Sequence, residues 1–312
     1  DSRLWVSFAN TLKLRMAIRM SGVEPEARRI AEEAVRDMAT YGLIDANAEN
    51  LSFSSDSRQN PFYTQATSTS WQDLRSNASI VMYMNAYEDP RRASYFSKSG
   101  YAGIYVGVHA GIQNVTPGDY ATYSYPLFAE KDPVPVMYAS ESWFLRAEGA
   151  LLGWTMGDTA ENLYNTGVKT SLELWGNGSS YETYIASETA PALSYADPRN
   201  KHNVSDFGTA VSVKWADDGN ELERIITQKW IANHMIGHEA WADVRRTGYP
   251  RLLQVVNNLS GGMWGNVDSS KGMRRLHYPQ SEYDNNRENV LRGVELLGGS
   301  DLQGTDVWWA KK

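Results

Sequence analysis

The feature that most constrains the fold is a pair of adjacent amphipathic segments between residues 139 and 176. Apolar and small residues recur in both segments at the 3- and 4-residue spacing of one buried helix face. They are Trp143, Phe144, Ala147, Ala150, Leu151 and Trp154 in the first segment, and Leu163, Tyr164, Gly167, Val168, Ser171, Leu172 and Trp175 in the second. Between them, Asp158 and Glu161 have the spacing of a capping box. The stretch therefore predicts a helical hairpin, the unit of tetratricopeptide-type folds.

The same spacing predicts helices elsewhere in the chain. They lie near 1–20, 25–42, 139–155, 158–175, 221–236 and 282–297, with a short buried helix around 80–87. In the first of them, we expect Trp5, Phe8, Leu12 and Met16 to form the buried stripe. A single hairpin cannot bury its own apolar face, so the hairpins must stack on one another. The predicted fold class is all-α, with tetratricopeptide-like hairpins and long irregular loop insertions.

Long irregular loops are predicted at 45–70, 94–136 and 177–220. The first is rich in Asn, Ser, Asp and Thr, and the second holds many tyrosines among glycines and prolines, with one short β-prone stretch at 104–108. Loops of this length inside a compact domain are commonly functional. We expect the second loop to be extended, with at most one hairpin, and to lie over the helical body as a lid or ligand wall.

Composition excludes several classes of function. The formal net charge is −7, and the Lys and Arg residues are scattered, which argues against a nucleic-acid partner or a polybasic membrane surface. The absence of cysteine excludes a disulfide framework, a thiolate metal site and a cysteine nucleophile. No apolar run approaches the ~20 residues that span a bilayer. Because the sequence starts at Asp1 inside a helical pattern, we expect residues 1–312 to form a single α-helical domain that lacks its N-terminal part.

One histidine pair and one glutamate pair could indicate a metal site or a catalytic site. His234 and His238 are four residues apart with Glu239 directly after them, but metalloproteases need the order HExxH on one unbroken helix, and Gly237 interrupts this one. Glu141 and Glu148 would lie about 10 Å apart on one helix face, near the separation of inverting glycosidases. In so apolar a helix, however, such groups more commonly form end charges and bonds between helices. We therefore predict no catalytic residue, no metal site and no cofactor.

Three stretches together resemble the SusD/RagB family of outer-membrane nutrient-binding lipoproteins. They are Thr227–Leu252 (TQKWIANHMIGHEAWADVRRTGYPRL), Tyr138–Trp154 with Asp158–Trp175, and Arg275–Tyr283 with Asn286–Val290 and Val307–Lys311. The resemblance implies a tetratricopeptide-like scaffold that captures a glycan or other nutrient and delivers it to a SusC-like TonB-dependent transporter. It also implies a surface-exposed position on the outer membrane, with a lipid anchor in an N-terminal segment that these residues do not include.

Three function classes remain open from the residues: a glycan-binding lipoprotein, a helical carbohydrate-active enzyme and a peptide-binding tetratricopeptide adaptor. An enzyme should place acidic residues in aromatic-rich loops, yet the loop at 45–70 has few acids. An adaptor should keep a regular helical repeat, which the long loops interrupt. These observations favour the glycan-binding class.

The predicted glycan site is the stretch from residue 60 to residue 71. Sugar rings present apolar C–H faces edged by hydroxyl groups, so their sites need aromatic rings beside neutral hydrogen-bonding groups. We expect Tyr63 and Trp71 to stack on sugar faces, and the amides of Asn60 and Gln65 to bond sugar hydroxyls. The corresponding region also contributes to glycan sites in members of the family that this chain resembles.

Overall fold

The structure is a computed structural model that describes residues 2–54, 59–67 and 74–311. Helices predominate among these residues. They are α1 (Ser2–Arg19), α2 (Ala27–Arg36), α3 (Met38–Tyr41), α4 (Pro61–Thr67), α5 (Ala78–Ala86), α6 (Arg92–Tyr95), α7 (Ala139–Leu151), α8 (Ala160–Leu174), α9 (Tyr181–Ile185), α10 (Glu221–Ala232), α11 (Gly237–Thr247), α12 (Gln280–Asn285) and α13 (Arg287–Leu297). Among the described residues, no helix is both long and apolar enough to cross a bilayer.

The predicted hairpin at 139–176 is confirmed as α7 and α8, which pack closely against each other. A Cβ atom at Gly167 would lie 3.0 Å from the ring of Phe144, so a small residue is required where the two helices meet. The start of α8 differs from the prediction. Its N-cap is Thr159, whose side chain accepts a hydrogen bond from the Asn162 amide at 3.2 Å, and no Asp158–Glu161 capping box forms.

The main core is formed where several helices stack on this hairpin. Helix α10 packs on α7 and α8, while α1 packs on α2 and α7. The shared cluster includes Leu14, Ile18, Ala34, Phe144, Tyr164, Val168 and Ile225. The alanine-rich face of α2 lies in this cluster. Small residues on α2 let it approach α1 closely, which is why the apolar stripe of α2 is built from alanines.

The predicted stripe of α1 is only half correct: Phe8 and Leu12 are half-buried, and Phe8 packs against a small core cluster. Trp5 and Met16 are 60% and 51% exposed, and the buried face instead carries Asn10, Thr11 and Leu14 among others. The two polar residues are buried because they bond the backbone of α2 and of the segment that follows it. Asn10 Nδ2 donates to the carbonyls of Ala34 and Gly42, and Thr11 Oγ1 accepts from the Ile44 amide at 2.8 Å. Satisfied polar groups are stable inside a core, and apolar periodicity does not detect them.

The all-α prediction is corrected by two small antiparallel sheets. Strand β1 (Leu51–Phe53) pairs with β2 (Val134–Met137), and β3 (Ala192–Tyr195) pairs with β4 (Val204–Thr209). All four strands come from the predicted long loops. They are only three to six residues long, so even the alternating pattern of β3 (ALSY) is too short to stand out in the sequence, and β4 (VSDFGT) has no regular alternation. The stretch predicted as a loop at 45–70 also contains α4.

Several predicted helices are broken into two. The helix expected at 25–42 is divided at Asp37, and the one expected at 282–297 is divided at Asn286. Helix α10 ends at Ala232, and α11 begins at Gly237, so the expected break in the helix occurs, but it lies just before the glycine, where Met235 has a positive φ of 72°. The C-terminal tail contacts the helical body, since the guanidinium of Arg245 lies over the ring of Trp309, 4.8 Å from its centroid.

Candidate functional site

The predicted glycan-binding stretch is held in place by Asn60. This residue is 1% exposed, and its Oδ1 accepts hydrogen bonds from the amides of Phe62 (2.8 Å) and Tyr63 (3.3 Å), which caps the start of α4. Its Nδ2 donates to the Asp132 carbonyl at 2.9 Å, and its own amide donates to the Glu130 carbonyl at 2.9 Å. The structure therefore uses the Asn60 amide to dock α4 on the loop before β2.

The two other described residues of the predicted site, Tyr63 and Gln65, do not share one face of α4. Tyr63 is half-buried on α4, and Gln65 is exposed. Because they are two positions apart on a helix, their side chains do not face each other. Trp71 lies outside the described residues. The expectation of a single irregular loop carrying all four side chains is thus replaced by a short helix that separates Tyr63 from Gln65.

Sequence reasoning missed an aromatic pair at this site. The rings of Phe62 and Phe128 are stacked, with centroids 5.4 Å apart and an interplanar angle of 24°. Both side chains are half-buried. Phe62 and Gln65 are three positions apart on α4, so they are neighbours on one helix face. Phe62 lay in the predicted stretch, whereas Phe128 comes from another loop, and no local sequence signal joins the two.

Polar groups flank this pair in the sequence, and strand β1 carries a further exposed ring. Gln59 Nε2 donates to Glu130 Oε1 at 3.1 Å, and both side chains are exposed. Asp132 Oδ2 accepts a hydrogen bond from the Ala129 amide at 2.7 Å and so fixes the turn that carries Glu130. Phe53, which is 68% exposed, pairs with Val134 at the start of β2, directly after this turn. We call residues 59–65 and 128–132, with Phe53, the aromatic–amide site. It offers flat apolar rings beside hydrogen-bonding groups, the combination that suits a sugar surface.

The carboxylates that could suggest hydrolysis are held in ion pairs. Glu141 is 0% exposed and accepts two hydrogen bonds from Arg15, at 2.7 Å each. Glu148 is 2% exposed and accepts two hydrogen bonds from Arg246. These pairs join α7 to α1 and to α11, so the expected bonds between helices are confirmed. Neither carboxylate is available to protonate a substrate or to activate a water molecule.

His234, one of the two histidines, is also structural, whereas His238 is exposed. The ring of His234 is stacked on Tyr95, with centroids 4.0 Å apart, and burial lowers the pKa of His234 to about 3. A neutral histidine among aromatic rings is a core residue. Within the described part of the chain, no group of three His, Asp or Glu side chains could hold a metal ion.

The family model and the solved structures that match this chain point to the same family. The family model for SusD-like proteins, the SusD and RagB outer-membrane lipoproteins, matches residues 1–310. A search of curated proteins gave no match.

Solved structures give the same result. A SusD homologue from Bacteroides uniformis is 43% identical, with a TM-score of 0.91, over 99% of this chain and 65% of its own. A chitin-binding SusD homologue from Flavobacterium johnsoniae is 40% identical, with a TM-score of 0.90, over 99% of this chain and 64% of its own. A SusD-like protein from Bacteroides thetaiotaomicron is 41% identical, with a TM-score of 0.88, over 100% of this chain and 65% of its own. The chain thus spans somewhat less than two thirds of the length of these relatives, and over that span it belongs to the SusD-like family of outer-membrane lipoproteins.

Proposed function

We propose that the protein captures an oligosaccharide at the outer-membrane surface and delivers it, without cleaving it, to a SusC-like TonB-dependent transporter. The observation that carries this proposal is the 40% identity, over 99% of the chain, to a SusD homologue that binds chitin. Oligosaccharides of the chitin type are accordingly the first ligands to test. Lipid anchoring of the protein, and the stacking of its helix pairs in a tetratricopeptide-like manner, belong to the same proposal.

The aromatic–amide site supports binding by stacking and hydrogen bonding. Phe62 and Phe128 offer an apolar platform, and Tyr63 and Gln65 supply a phenol and an amide on two sides of α4. Asn60 acts as a positioning residue, because its amide is occupied in the cap of α4. Trp71 remains a predicted stacking residue on the basis of the sequence.

The ion pairs of Glu141 and Glu148 favour binding over hydrolysis. A glycosidase needs one carboxyl group to protonate the leaving oxygen and another to act as nucleophile or base. These two carboxylates are buried and bonded to guanidinium groups. The helical-enzyme alternative would therefore have to use other acids.

Affinity electrophoresis against a panel of polysaccharides, combined with an assay for new reducing ends, tests the proposal. We expect retardation by at least one polysaccharide and no new reducing ends. Tyr63→Ala should weaken binding by roughly tenfold or less, because an aromatic contact contributes about 0.5–1.5 kcal/mol beyond the burial of its area. Turnover would support the enzyme alternative, and binding of peptides without sugars would support the adaptor.

A further inference from the structure

A half-buried arginine on α11 lies between two indole rings. The guanidinium carbon of Arg245 is 3.6 Å from the ring centroid of Trp241, one helical turn earlier, and 4.8 Å from that of Trp309 in the C-terminal tail. Both indoles are themselves half-buried, so each keeps part of its surface exposed. We call Arg245, Trp241 and Trp309 the arginine–indole site. It shares no residue with the aromatic–amide site.

The guanidinium of Arg245 is held in one position but keeps an open edge. Its Nη1 donates to the Arg274 carbonyl at 2.7 Å, and its Nε donates more weakly to the Trp241 carbonyl at 3.4 Å. Its Nη2 donates no hydrogen bond to a described residue, yet this nitrogen is not sealed from solvent. Both N–H groups of Nη2 are therefore available to an acceptor. A ligand that binds there does not need to order the side chain first, and such preorganisation favours affinity.

The carboxylates near this site are paired with other arginines. Glu239 forms an ion pair with Arg19, and Asp306 forms one with Arg274. Within the described part of the chain, no carboxylate lies at ion-pair distance from Arg245. A half-buried cation is thus left without a counter-charge of its own.

The electrostatic surroundings of Arg245 favour an added anion. The guanidinium of Arg19 also lies over Trp309, 5.5 Å from its centroid, so two guanidinium groups approach the same ring. Burial, together with the positive charges of Arg274 and Arg19, lowers the pKa of Arg245 to about 10. Arg245 therefore remains a cation at neutral pH, and a negative charge placed beside it would offset the repulsion between the guanidinium groups.

We propose that the arginine–indole site binds the carboxylate of an acidic saccharide. The carboxylate would accept hydrogen bonds from Nη2 of Arg245, and bonds between two charged groups are the strong ones. The apolar C–H face of the same sugar would contact the exposed parts of the two indoles. This inference rests on the proposed capture of oligosaccharides, and it adds a subsite that selects a charged sugar.

Other ligand classes use this site less completely. A neutral sugar would contact the indoles but would leave the guanidinium of Arg245 without a counter-charge. An acidic peptide would bring a carboxylate, but its side chain offers no rigid C–H face to the indoles. If Arg245 served only to dock the C-terminal tail through Trp309, neither kind of anion would bind. An acidic sugar meets both features of the site at once.

The test compares methyl β-glucuronoside with methyl β-glucoside, which differ only in the carboxylate that replaces a hydroxymethyl group. Binding is followed by NMR titration at low ionic strength, where charge interactions are least screened, through the indole N–H signals of Trp241 and Trp309. We expect the glucuronoside to bind roughly tenfold more tightly or better and to shift both signals. Equal affinity for the two glycosides would overturn the inference. Equally tight binding of N-acetylaspartic acid amide, which carries a carboxylate without a sugar ring, would overturn it as well.

Arg245→Gln removes the cation and leaves no carboxylate without a partner. It should reduce the preference for the glucuronoside to less than about threefold. Arg292→Gln is the matched control, because it removes the same charge from an exposed position on α13, and it should leave the preference unchanged. A full preference in Arg245→Gln would contradict the inference. Should this variant fail to fold, the comparison of the two glycosides on the wild-type protein still decides the matter.

Failure of this subsite can be told apart from failure of the proposed function. If no polysaccharide, neutral or acidic, bound the wild-type protein, the proposed function itself would be wrong. Retardation by a neutral polysaccharide, together with equal affinity for the two glycosides, would remove only the arginine–indole site.

Discussion

The buried ion pair between Asp89 and Arg91 should be the most sensitive point in the fold. Both residues are almost completely inaccessible, with exposures of 1% and 0%. Arg91 Nε and Nη2 donate to the two carboxylate oxygens of Asp89 at 2.9 and 2.6 Å. The guanidinium also donates to Ser171 Oγ on α8 and to Gln228 Oε1 on α10, at 2.8 and 2.9 Å. The pair therefore joins the turn between α5 and α6 to two helices of the core.

Asp89→Asn removes the negative charge but keeps the size of the side chain. Burial alone would lower the pKa of Arg91, but the charge and hydrogen bonds of Asp89, together with nearby Tyr184 and Tyr95, outweigh burial and raise the pKa, so Arg91 stays a cation. The variant leaves this cation buried without a counter-charge, and breaking a buried pair in this way costs about 3–5 kcal/mol. Such a loss is a large share of the ~5–15 kcal/mol by which a domain is stable.

Urea unfolding, monitored by circular dichroism, measures the stability lost in Asp89→Asn. Asp284→Asn is the matched control, since Asp284 is exposed and accepts a surface hydrogen bond from Gln280. We expect this control to change the unfolding free energy by no more than about 0.5 kcal/mol. Adding Arg91→Met to Asp89→Asn removes the unpaired cation, so the double variant should be more stable than Asp89→Asn alone. A cost below about 1 kcal/mol for Asp89→Asn, or no recovery in the double variant, would refute the reasoning.

Three further changes test other parts of the structure. In the folded protein the pKa of His234 is about 3, below its ordinary value of 6.5, so protonation favours the unfolded state and stability should fall as the pH drops from 6.5 towards 3. The unfolding free energy should fall by about 2 kcal/mol between pH 7 and pH 5, and this fall should vanish in His234→Phe. Urea unfolding at both pH values measures it. A Cβ atom at Gly107 would lie 2.6 Å from the Asn77 carbonyl group, so Gly107→Ala should lower the unfolding free energy by about 1–3 kcal/mol. A Cβ atom at Gly22 would meet no atom within 4 Å, so Gly22→Ala should leave the unfolding free energy unchanged. Equal melting temperatures for the two variants would contradict the close contact at Gly107. Phe128→Ala removes the stacking partner of Phe62 and should weaken polysaccharide retardation, while Leu127→Ala at the neighbouring exposed position should not.

The sequence alone identified the helical scaffold and its family. The hairpin at 139–176 was predictable because both of its helices bury one apolar stripe, and Gly167 marked the place where α8 approaches Phe144. The stretch at 227–252 carried the family resemblance, which the match over residues 1–310 confirmed. These features depend on neighbours a few positions apart in the chain, so local spacing reveals them.

The candidate sites depended on contacts that local spacing does not contain. Asn60 was predicted to bond a sugar, yet the tertiary structure occupies its amide with the Asp132 carbonyl, 72 residues away in sequence. Phe128 reaches Phe62 across a similar separation. The cation of Arg245 meets a second indole ring only because the C-terminal tail folds back onto α11. A sequence shows which groups can form hydrogen bonds, but only the packed structure decides which of them are already satisfied.

The same reason explains the error in α1. Its periodicity selected Trp5 and Met16, whereas the structure buries Asn10 and Thr11, whose polar groups bond the backbone of residues 34–44. Apolar spacing determined that a helix forms there. Which face of that helix turns inward was decided by the hydrogen bonds available from a distant segment, because a buried polar group is stable only where a partner is provided.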